Sequence, residues 1–308
     1  MKKDFTRLLD ITREECAYLL ERALFMKEAR LTHKAYKPLQ DRTLAMIFEK
    51  ASTRTRISFE VAMKELGGHA IFLSQSDTQM GRGEPIRDTA RVLSRYVHAL
   101  MIRTFAQDTV KTLAQWASVP VINGLSDLYH PCQVLSDLFT VKEYKGSLRD
   151  VRVAWVGDGN NMANSWIEAS LLFGFPLAVA VPPAYGPDDA LVKEATEKGL
   201  LTLVAEPIEA VRGADVVNTD VWISMGMEEE EEERRKAFAS FCVDGELMKA
   251  AKSDAIVMHC LPAHRGEEIT DEVFERFQEV IFTQAENRLH AQKALLEWIM
   301  TEEIHGYY

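Results

Sequence analysis

Cysteine is scarce in this sequence and nowhere paired. Four occur in 308 residues, Cys16, Cys132, Cys242 and Cys260, and no two form a C-x-x-C pair. That excludes a disulfide scaffold or a zinc framework and suits a reducing compartment. A basic excess is missing too: 36 Lys and Arg face 47 Asp and Glu, a formal net charge of -11. An acidic chain holds a nucleic-acid backbone poorly through bulk electrostatics, so no nucleic-acid partner is expected. No apolar run is long enough to span a membrane. The longest, near Leu171–Val181, contains Gly174 and Pro176 and stops at Pro182-Pro183, short of the about 20 residues a span needs. Lys2 and Lys3 have no apolar run behind them, so no secretory signal is expected and the sequence reads as cytoplasmic. Repeats are absent, and low complexity is confined to Glu228–Glu233.

What is present is enough core for about two domains, at 47% hydrophobic residues. Charge divides between the halves. Residues 1–150 carry 23 basic and 18 acidic side chains, a balance of +5, and the remainder 13 and 29, a balance of -16. Short β-rich runs alternate with amphipathic stretches. Candidate strands are Thr43–Glu49, Ala70–Leu73, Ala99–Arg103, Val119–Asn123, Val151–Gly157, Leu177–Val181, Leu201–Ala205, Val216–Thr219, Ala255–His259 and Val280–Thr283. Many are continuously apolar, the mark of strands buried on both faces of a parallel sheet. Helical periodicity fills the gaps, as at Arg56–Leu66, Ile86–Tyr96 and Val134–Tyr144. The expected class is α/β: two domains, each a parallel sheet with helices on both faces, with the active site in the cleft between them. The junction is expected at Lys145-Gly146-Ser147, giving domains 1–146 and 147–286. A C-terminal helix over 287–308, amphipathic through Leu289, Leu295, Leu296 and Ile299, is expected to pack back on the first.

Ligands of such sheets gather beyond the carboxyl ends of the strands, and four polar clusters lie there. The first, Lys50-Ala51-Ser52-Thr53-Arg54-Thr55-Arg56, follows a strand and opens a helix. Unpaired N–H groups at a helix start, with hydroxyls and arginines around them, suit a phosphate. An ordinary Ser cap with solvated arginines is the plain alternative. Lys50 reads as structural or field-setting rather than as a ligand. The second is His130-Pro131-Cys132-Gln133, with Pro131 at a first helical position. Arg103, closing its own strand, is the third element of this group. The next cluster is Gly157-Asp158-Gly159-Asn160-Asn161. It imitates a dinucleotide fingerprint, but Met162 replaces the third glycine and no acid follows the next strand, which argues against a nicotinamide cofactor. Its asparagines either bind a polar ligand or cap the following helix. The last cluster combines Asp220–Gly226, His259-Cys260-Leu261-Pro262 and Glu286-Asn287-Arg288. Cys260 alone could be a buried hydrophobe, Arg288 a salt-bridged helix residue, and two adjacent residues, His259 and Cys260, cannot form a tetrahedral zinc site.

Together the S-T-R-T-R run at Ser52–Arg56 and the H-P-x-Q at His130–Gln133 resemble the carbamoyl-phosphate half of the carbamoyltransferases. The S-M-G of Ser224–Gly226 and the H-C-L-P of His259–Pro262 resemble the ornithine branch of that family. Aspartate carbamoyltransferases carry H-P-L-P-R there and lack the S-M-G loop. The likeness runs from Phe48 to Arg288. Ala51 stands where the family often has Pro, a change expected to be tolerated. The resemblance implies that Ser52, Thr53, Arg54, Thr55 and Arg103 hold phosphate. It implies that Arg103, Thr55 and His130 share the carbonyl oxygen, that Gln133 takes the carbamoyl amide, and that Cys260, Leu261 and Arg288 border the same ligand. Asn161 and the Met225 backbone would hold the ornithine α-carboxylate, and Asp220 with Ser224 its α-amino group. The implied catalytic set is Arg103, His130, Asp220 and Cys260, with no metal and no organic cofactor. The implied assembly is a homotrimer in which Gln79, from the Ser76–Glu84 loop, completes a neighbour's phosphate pocket. The implied reaction joins carbamoyl phosphate and L-ornithine into citrulline and phosphate.

The chemistry constrains these roles. A free alkyl amine of pKa about 10.4 is neutral in only about one molecule in a thousand at pH 7.4, a deficit of about 4 kcal/mol. A carboxylate on the reacting amine would deepen it, so Asp220 belongs on the α-amino group. The amine proton can leave through Cys260 or through the departing phosphate. The acidic run Glu228–Glu233, followed by Arg234-Arg235-Lys236, reads as a solvated helix with i,i+4 pairs, flanking the S-M-G loop.

Overall fold

The apolar runs form strands, and every pair of neighbours is parallel. The computed structural model describes residues 2–75, 78–79, 83–223 and 230–301. Among these the strands are β1 (Thr43–Phe48), β2 (His69–Ser74), β3 (Ala99–Arg103), β4 (Val121–Leu125), β5 (Val153–Val156), β6 (Leu177–Ala180), β7 (Leu201–Val204), β8 (Val216–Thr219) and β9 (Ile256–His259). The first α-helices are α1 (Arg13–Leu31), α2 (Thr53–Glu65), α3 (Ile86–Leu93), α4 (Gln107–Trp116), α5 (Pro131–Lys145) and α6 (Asn161–Phe173). They are followed by α7 (Asp189–Glu197), α8 (Pro207–Val211), α9 (Glu231–Phe238), α10 (Gly245–Met248), α11 (Asp271–Arg276) and α12 (Gln278–Met300). No helix among the described residues is long and apolar enough to cross a membrane.

Two compact units emerge. Unit 1 runs to Ser136 and resumes at Asn287; unit 2 is Asp137–Glu286. The divisions fall inside α5 and α12. Unit 1 has the strand order β2-β1-β3-β4, and unit 2 β7-β6-β5-β8-β9. In each, the chain first moves to one side of a central strand and then returns to its other side. The reversal lies between β1 and β3 in unit 1 and between β5 and β8 in unit 2. Crevices open at the carboxyl ends of such strand pairs.

Local sequence explains the elements that border these crevices. Central strands β1 and β5 bury nearly every residue, as a sheet covered on both faces requires, while edge strand β2 buries none fully. Helix α2 buries Thr55, Phe59, Ala62 and Met63 along one stripe, and each large apolar side chain so buried contributes about 1.5–3 kcal/mol. That stripe anchors the helix and leaves its N-terminus at the β1–β3 reversal. Between β3 and β4 the register slips: Ile102 pairs with Asn123, but Arg103 with Leu125. Gly124 is the extra residue. A Cβ there would lie 2.6 Å from Met101 Sδ, so a larger residue at this bulge would have to displace that side chain.

One expectation is corrected. Val280–Thr283 is not a strand but the first turns of α12. Val280, Ile281, Gln284 and Arg288 are buried while Phe282 is exposed, a helical period that no Gly or Pro interrupts. Four apolar residues were too short a run to separate the two periods. The described part of the last helix is therefore Gln278–Met300 rather than 287–308.

Gly159 tests the packing of unit 2. A Cβ at this position would lie 2.3 Å from the Gly186 carbonyl carbon and the Pro187 nitrogen, which are backbone atoms unable to rotate away. Gly159→Ala is expected to destabilise the protein by about 1–3 kcal/mol in urea unfolding. An unchanged midpoint would show that the turn yields at no cost.

Candidate functional site

Unit 1 assembles a candidate anion site from two helix starts, one strand end and Arg288 of α12. Ser52 caps α2: its backbone is extended and its Oγ accepts the Thr55 N–H at 3.2 Å. Helix geometry leaves the N–H groups of Thr53 and Arg54 without intrahelical acceptors, and both side chains are exposed. Thr55 is buried. Its Oγ1 accepts from Ser52 Oγ at 3.1 Å and from Arg288 Nη2 at 2.8 Å. With both lone pairs engaged, its own O–H is left to donate. Arg288 Nη1 donates to Gln133 Oε1. One buried guanidinium thus links the first turns of α2 and α5 to α12.

His130 closes the start of α5, its carbonyl accepting the Gln133 and Val134 N–H groups at 3.1 and 3.2 Å. Its imidazole is buried and held well below the usual histidine range, first by burial and then by the charges of Arg288 and Arg103. It is a neutral ring in the field of two cations. Lys50 is buried and paired with Asp127, its ammonium 4.2 Å from the centre of the Phe105 ring; it supports the loop, as expected. Gln79 is exposed, with its carbonyl accepting the Glu84 N–H at 3.0 Å.

Unit 2 builds its cluster at the β5–β8 reversal. Asn160 caps α6, with Oδ1 accepting the Met162 and Ala163 N–H groups at 2.9 and 3.3 Å, and its Nδ2 donates to Asp220 Oδ2 at 3.1 Å. The two asparagines therefore differ. Asn160 is the cap and the Asp220 partner, and Asn161 is the half-buried first residue of the helix. Asp220 Oδ1 accepts from its neighbour's backbone, Val221 N–H, at 2.8 Å and from Cys260 Sγ at 3.1 Å. Cys260 follows β9. Beside it, His259 is buried; its Nδ1 accepts the Leu261 N–H at 2.9 Å, and Nε2 lies 3.0 Å from Glu268 Oε1. These partners select the Nε2–H tautomer. Leu261 adopts φ 62, a strained left-handed conformation for a non-glycine residue. Ser224 and Met225 lie outside the described residues.

Two groups of three metal-capable side chains occur among the described residues: Asp220, His259 and Cys260, and His264, Glu267 and Glu268. His259 has no lone pair to give a metal. In the second group Glu268 Oε1 already accepts from His259 and from the His264 N–H, and Glu267 is paired with Arg235.

Sequence reasoning missed two residues that organise unit 2. Glu268 is fully buried behind His259. Arg234, read only as part of a solvated helix, is buried and paired with Asp158 at 2.6 Å. Burial pushes the Asp158 carboxyl up to about 6, against the pull of Arg234 and with a smaller push from Asp220. The sole hint was an arginine pair ending an acidic run.

The fold and these clusters define a two-unit parallel α/β protein with a candidate anion site in one unit and a carboxylate–amide–thiol cluster in the other. Model descriptions of the aspartate/ornithine carbamoyltransferase carbamoyl-P binding domain and Asp/Orn binding domain match residues 3–143 and 149–299. The chain belongs to the aspartate/ornithine carbamoyltransferase family. It is 54% identical to the ornithine carbamoyltransferase of Syntrophotalea carbinolica over 97% of this chain and 100% of that one. The Archaeoglobus fulgidus enzyme of the same name is 53% identical over 99% and 100%. Among solved structures, ornithine carbamoyltransferase from Pyrococcus furiosus superposes with a TM-score of 0.93 at 51% identity, covering 100% of this chain and 98% of that one. The anabolic enzyme of Campylobacter jejuni gives 0.90 at 44%, covering 96% and 98%.

Stability should carry the mark of the buried neutral histidines. His290 is pushed down to about 3, first by burial and then by Lys293, Lys27 and Arg30, and His130 is also depressed. Both take up protons more readily unfolded than folded, so their stabilising effect is full above pH about 6.5 and is lost as pH falls below it. Denaturant unfolding at pH 7.5 and 5.5 should differ by about 2 kcal/mol, with less stability at the lower pH. His290→Gln should remove part of that difference, and equal stabilities at the two pH values would contradict the assignment.

Proposed function

We propose that the chain transfers the carbamoyl group from carbamoyl phosphate to the side-chain amine of L-ornithine, giving L-citrulline and phosphate in arginine biosynthesis. The observation that carries this reading is the pair of clusters: Arg288 binding Thr55 and Gln133 together beside Arg103 and His130, and Asp220 collecting donors from Asn160 and Cys260. Kinship to curated ornithine carbamoyltransferases at 51–54% identity over nearly the whole chain supports it.

Carbamoyl phosphate binds to unit 1, its phosphate on the Ser52–Thr55 helix start with Arg54 and Arg103. Its carbonyl oxygen lies toward Thr55, Arg103 and His130, and its amide toward Gln133. Cys260, Leu261 and Arg288 complete its surroundings. Attack by the neutral δ-amine forms the C–N bond and builds negative charge on that oxygen, where each preorganised donor contributes about 2.7–4 kcal/mol. His130 suits this task because a neutral ring donates a hydrogen bond without adding a third cation beside Arg103 and Arg288. The C–O bond to phosphate then breaks. Ornithine binds to unit 2, with Asn161 and Met225 on its carboxylate and Asp220 and Ser224 on its α-ammonium.

The hydrogen bond from Cys260 to Asp220 bears on the proton. A sulfur that donates to a carboxylate is a thiol, and ionising it would set two negative charges side by side. The departing phosphate is therefore the acceptor of the amine proton, and Cys260 orients Asp220. The working form is a cytoplasmic homotrimer in which Gln79 completes a neighbouring subunit's pocket. Ile57, Ile71, Val92 and Tyr96 expose apolar surface on unit 1, which favours assembly. No metal or organic cofactor takes part.

The deciding experiment is carbamoyl-phosphate-dependent product formation with ornithine, putrescine, aspartate and N-acetylornithine. Citrulline from ornithine is expected to dominate, and its absence would refute the reading. Because His130 stays neutral, kcat/KM for ornithine should rise about tenfold per pH unit from 6 to 8, following the amine. A break near 6.5 would implicate the histidine.

Cys260→Ser keeps a donor to Asp220 and should retain turnover within about tenfold with an unchanged pH profile. A loss of about a hundredfold with a shifted profile would return the proton to sulfur.

A further inference from the structure

Arg234 occupies a position that the proposed contacts with substrate do not explain. Its side chain comes from α9, whose other charged residues are exposed, yet it is buried. Nη2 pairs with Asp158 at 2.6 Å, in the turn that leads from β5 to Asn160 and Asn161. Nε donates to the Trp222 carbonyl at 2.7 Å, two residues past Asp220. Nη1 reaches Glu230 at 3.4 Å. The guanidinium also lies 4.7 Å from the centre of the Tyr185 ring. The next residue supplies a contrast. Arg235 is exposed and pairs with Glu231 and Glu267, both at 2.9 Å. Exposed pairs of that kind contribute about 0–1 kcal/mol, whereas a buried fork meeting several acceptors fixes geometry.

We propose that Arg234 is the positioning residue of the acceptor half of the site: one buried guanidinium sets the Asp158 turn, the Trp222 carbonyl and the start of α9 relative to each other, and so aligns Asp220, Asn160 and Asn161 for the amino-acid head group of the acceptor. The inference rests on the reading of unit 2 as the ornithine-binding unit. It assigns Arg234 no contact with substrate, and it predicts an effect on acceptor binding alone, since every group that Arg234 holds belongs to unit 2.

The test compares Arg234→Lys, Asp158→Asn and Arg235→Ala in the full chain. Lysine keeps the charge but cannot reach Asp158 and Trp222 together; asparagine keeps an acceptor but not the charge. The ornithine KM should rise about ten- to a hundredfold in Arg234→Lys and by less in Asp158→Asn, with equilibrium affinity for carbamoyl phosphate unchanged. Arg235→Ala should change neither. An unchanged ornithine KM in Arg234→Lys, or an equal loss of affinity for both substrates, overturns the proposal. If Arg234→Lys does not fold, the same two quantities in Asp158→Asn decide. Amide hydrogen exchange over 221–223 and 230–238 reads the contacts without turnover. Faster exchange in the first two variants and none in Arg235→Ala supports the role, and unchanged exchange overturns it. If the wild-type chain makes no citrulline, the proposed function fails on that result alone, while exchange still judges Arg234.

Discussion

Everything in this protein hangs on parallel strands whose order reverses once in each sheet, between β1 and β3 and between β5 and β8. At each reversal the connections leave in opposite directions, so the carboxyl ends of two central strands border open space. The helices that follow β1 and β5 begin there, with their unpaired N–H groups at the crevice. Arg103 and Asp220 are functional candidates because they stand where β3 and β8 stop. Elsewhere on the surface the same side chains would be solvated charges. The topology also explains why the chain uses the device twice with opposite chemistry. The first crevice presents arginines and hydroxyls, and the second a carboxylate, two amides and a thiol.

Arg103 and Arg288 both act on His130, and a third charge among them would be costly. His130 avoids this by staying neutral, and burial ensures it. The arrangement is set before any ligand arrives. Arg288 is held by Thr55 and Gln133, and Thr55 is in turn held by the cap of α2. Groups fixed in this way need little reorganisation as charge develops, which is where electrostatic catalysis gains most. The same constraint makes the site vulnerable in acid, since a second proton on the ring would add a third positive charge to the cluster.

Much of this was legible in the sequence. Continuous apolar runs located eight of the strands to within a few residues, β2 also, and polar residues at their ends marked both crevices. The Ser52 cap, Pro131 at the start of α5 and the Asn160–Asn161 pair follow from local rules that need no tertiary knowledge. Other features were not legible because their partners lie far away in sequence. Arg234 meets Asp158 only after three further strands, β6 to β8, have been laid down, and Glu268 reaches His259 across a turn that contains the left-handed Leu261. Composition made Arg234 look solvated because its neighbours on α9 are solvated. The short run Val280–Thr283 failed for a different reason: its apolar pattern fits both periods, and burial of Gln284 and Arg288 on the same side settles the question only in three dimensions.

The second crevice poses the sharper chemical problem, since ornithine carries two amines and only one may react. A carboxylate stabilises whichever ammonium it touches. In the proposed reading Asp220 is kept on the α-ammonium and away from the nucleophile, which requires the direction of its lone pairs to be fixed. Asn160, the Val221 backbone and Cys260 supply three donors to it. Two of the three, Val221 N–H and Cys260 Sγ, sit on Oδ1 and fill its two lone-pair directions, so the remaining capacity is on Oδ2, beside Asn160 and next to the start of α6. Under the proposed assignment, an ammonium held by this carboxylate lies toward the start of α6, where Asn161 is placed to meet the carboxylate of the same ligand. In the proposed reading the zwitterionic head group is bound there as a unit, and the neutral amine at the far end of the side chain is left clear of the acid that would protonate it.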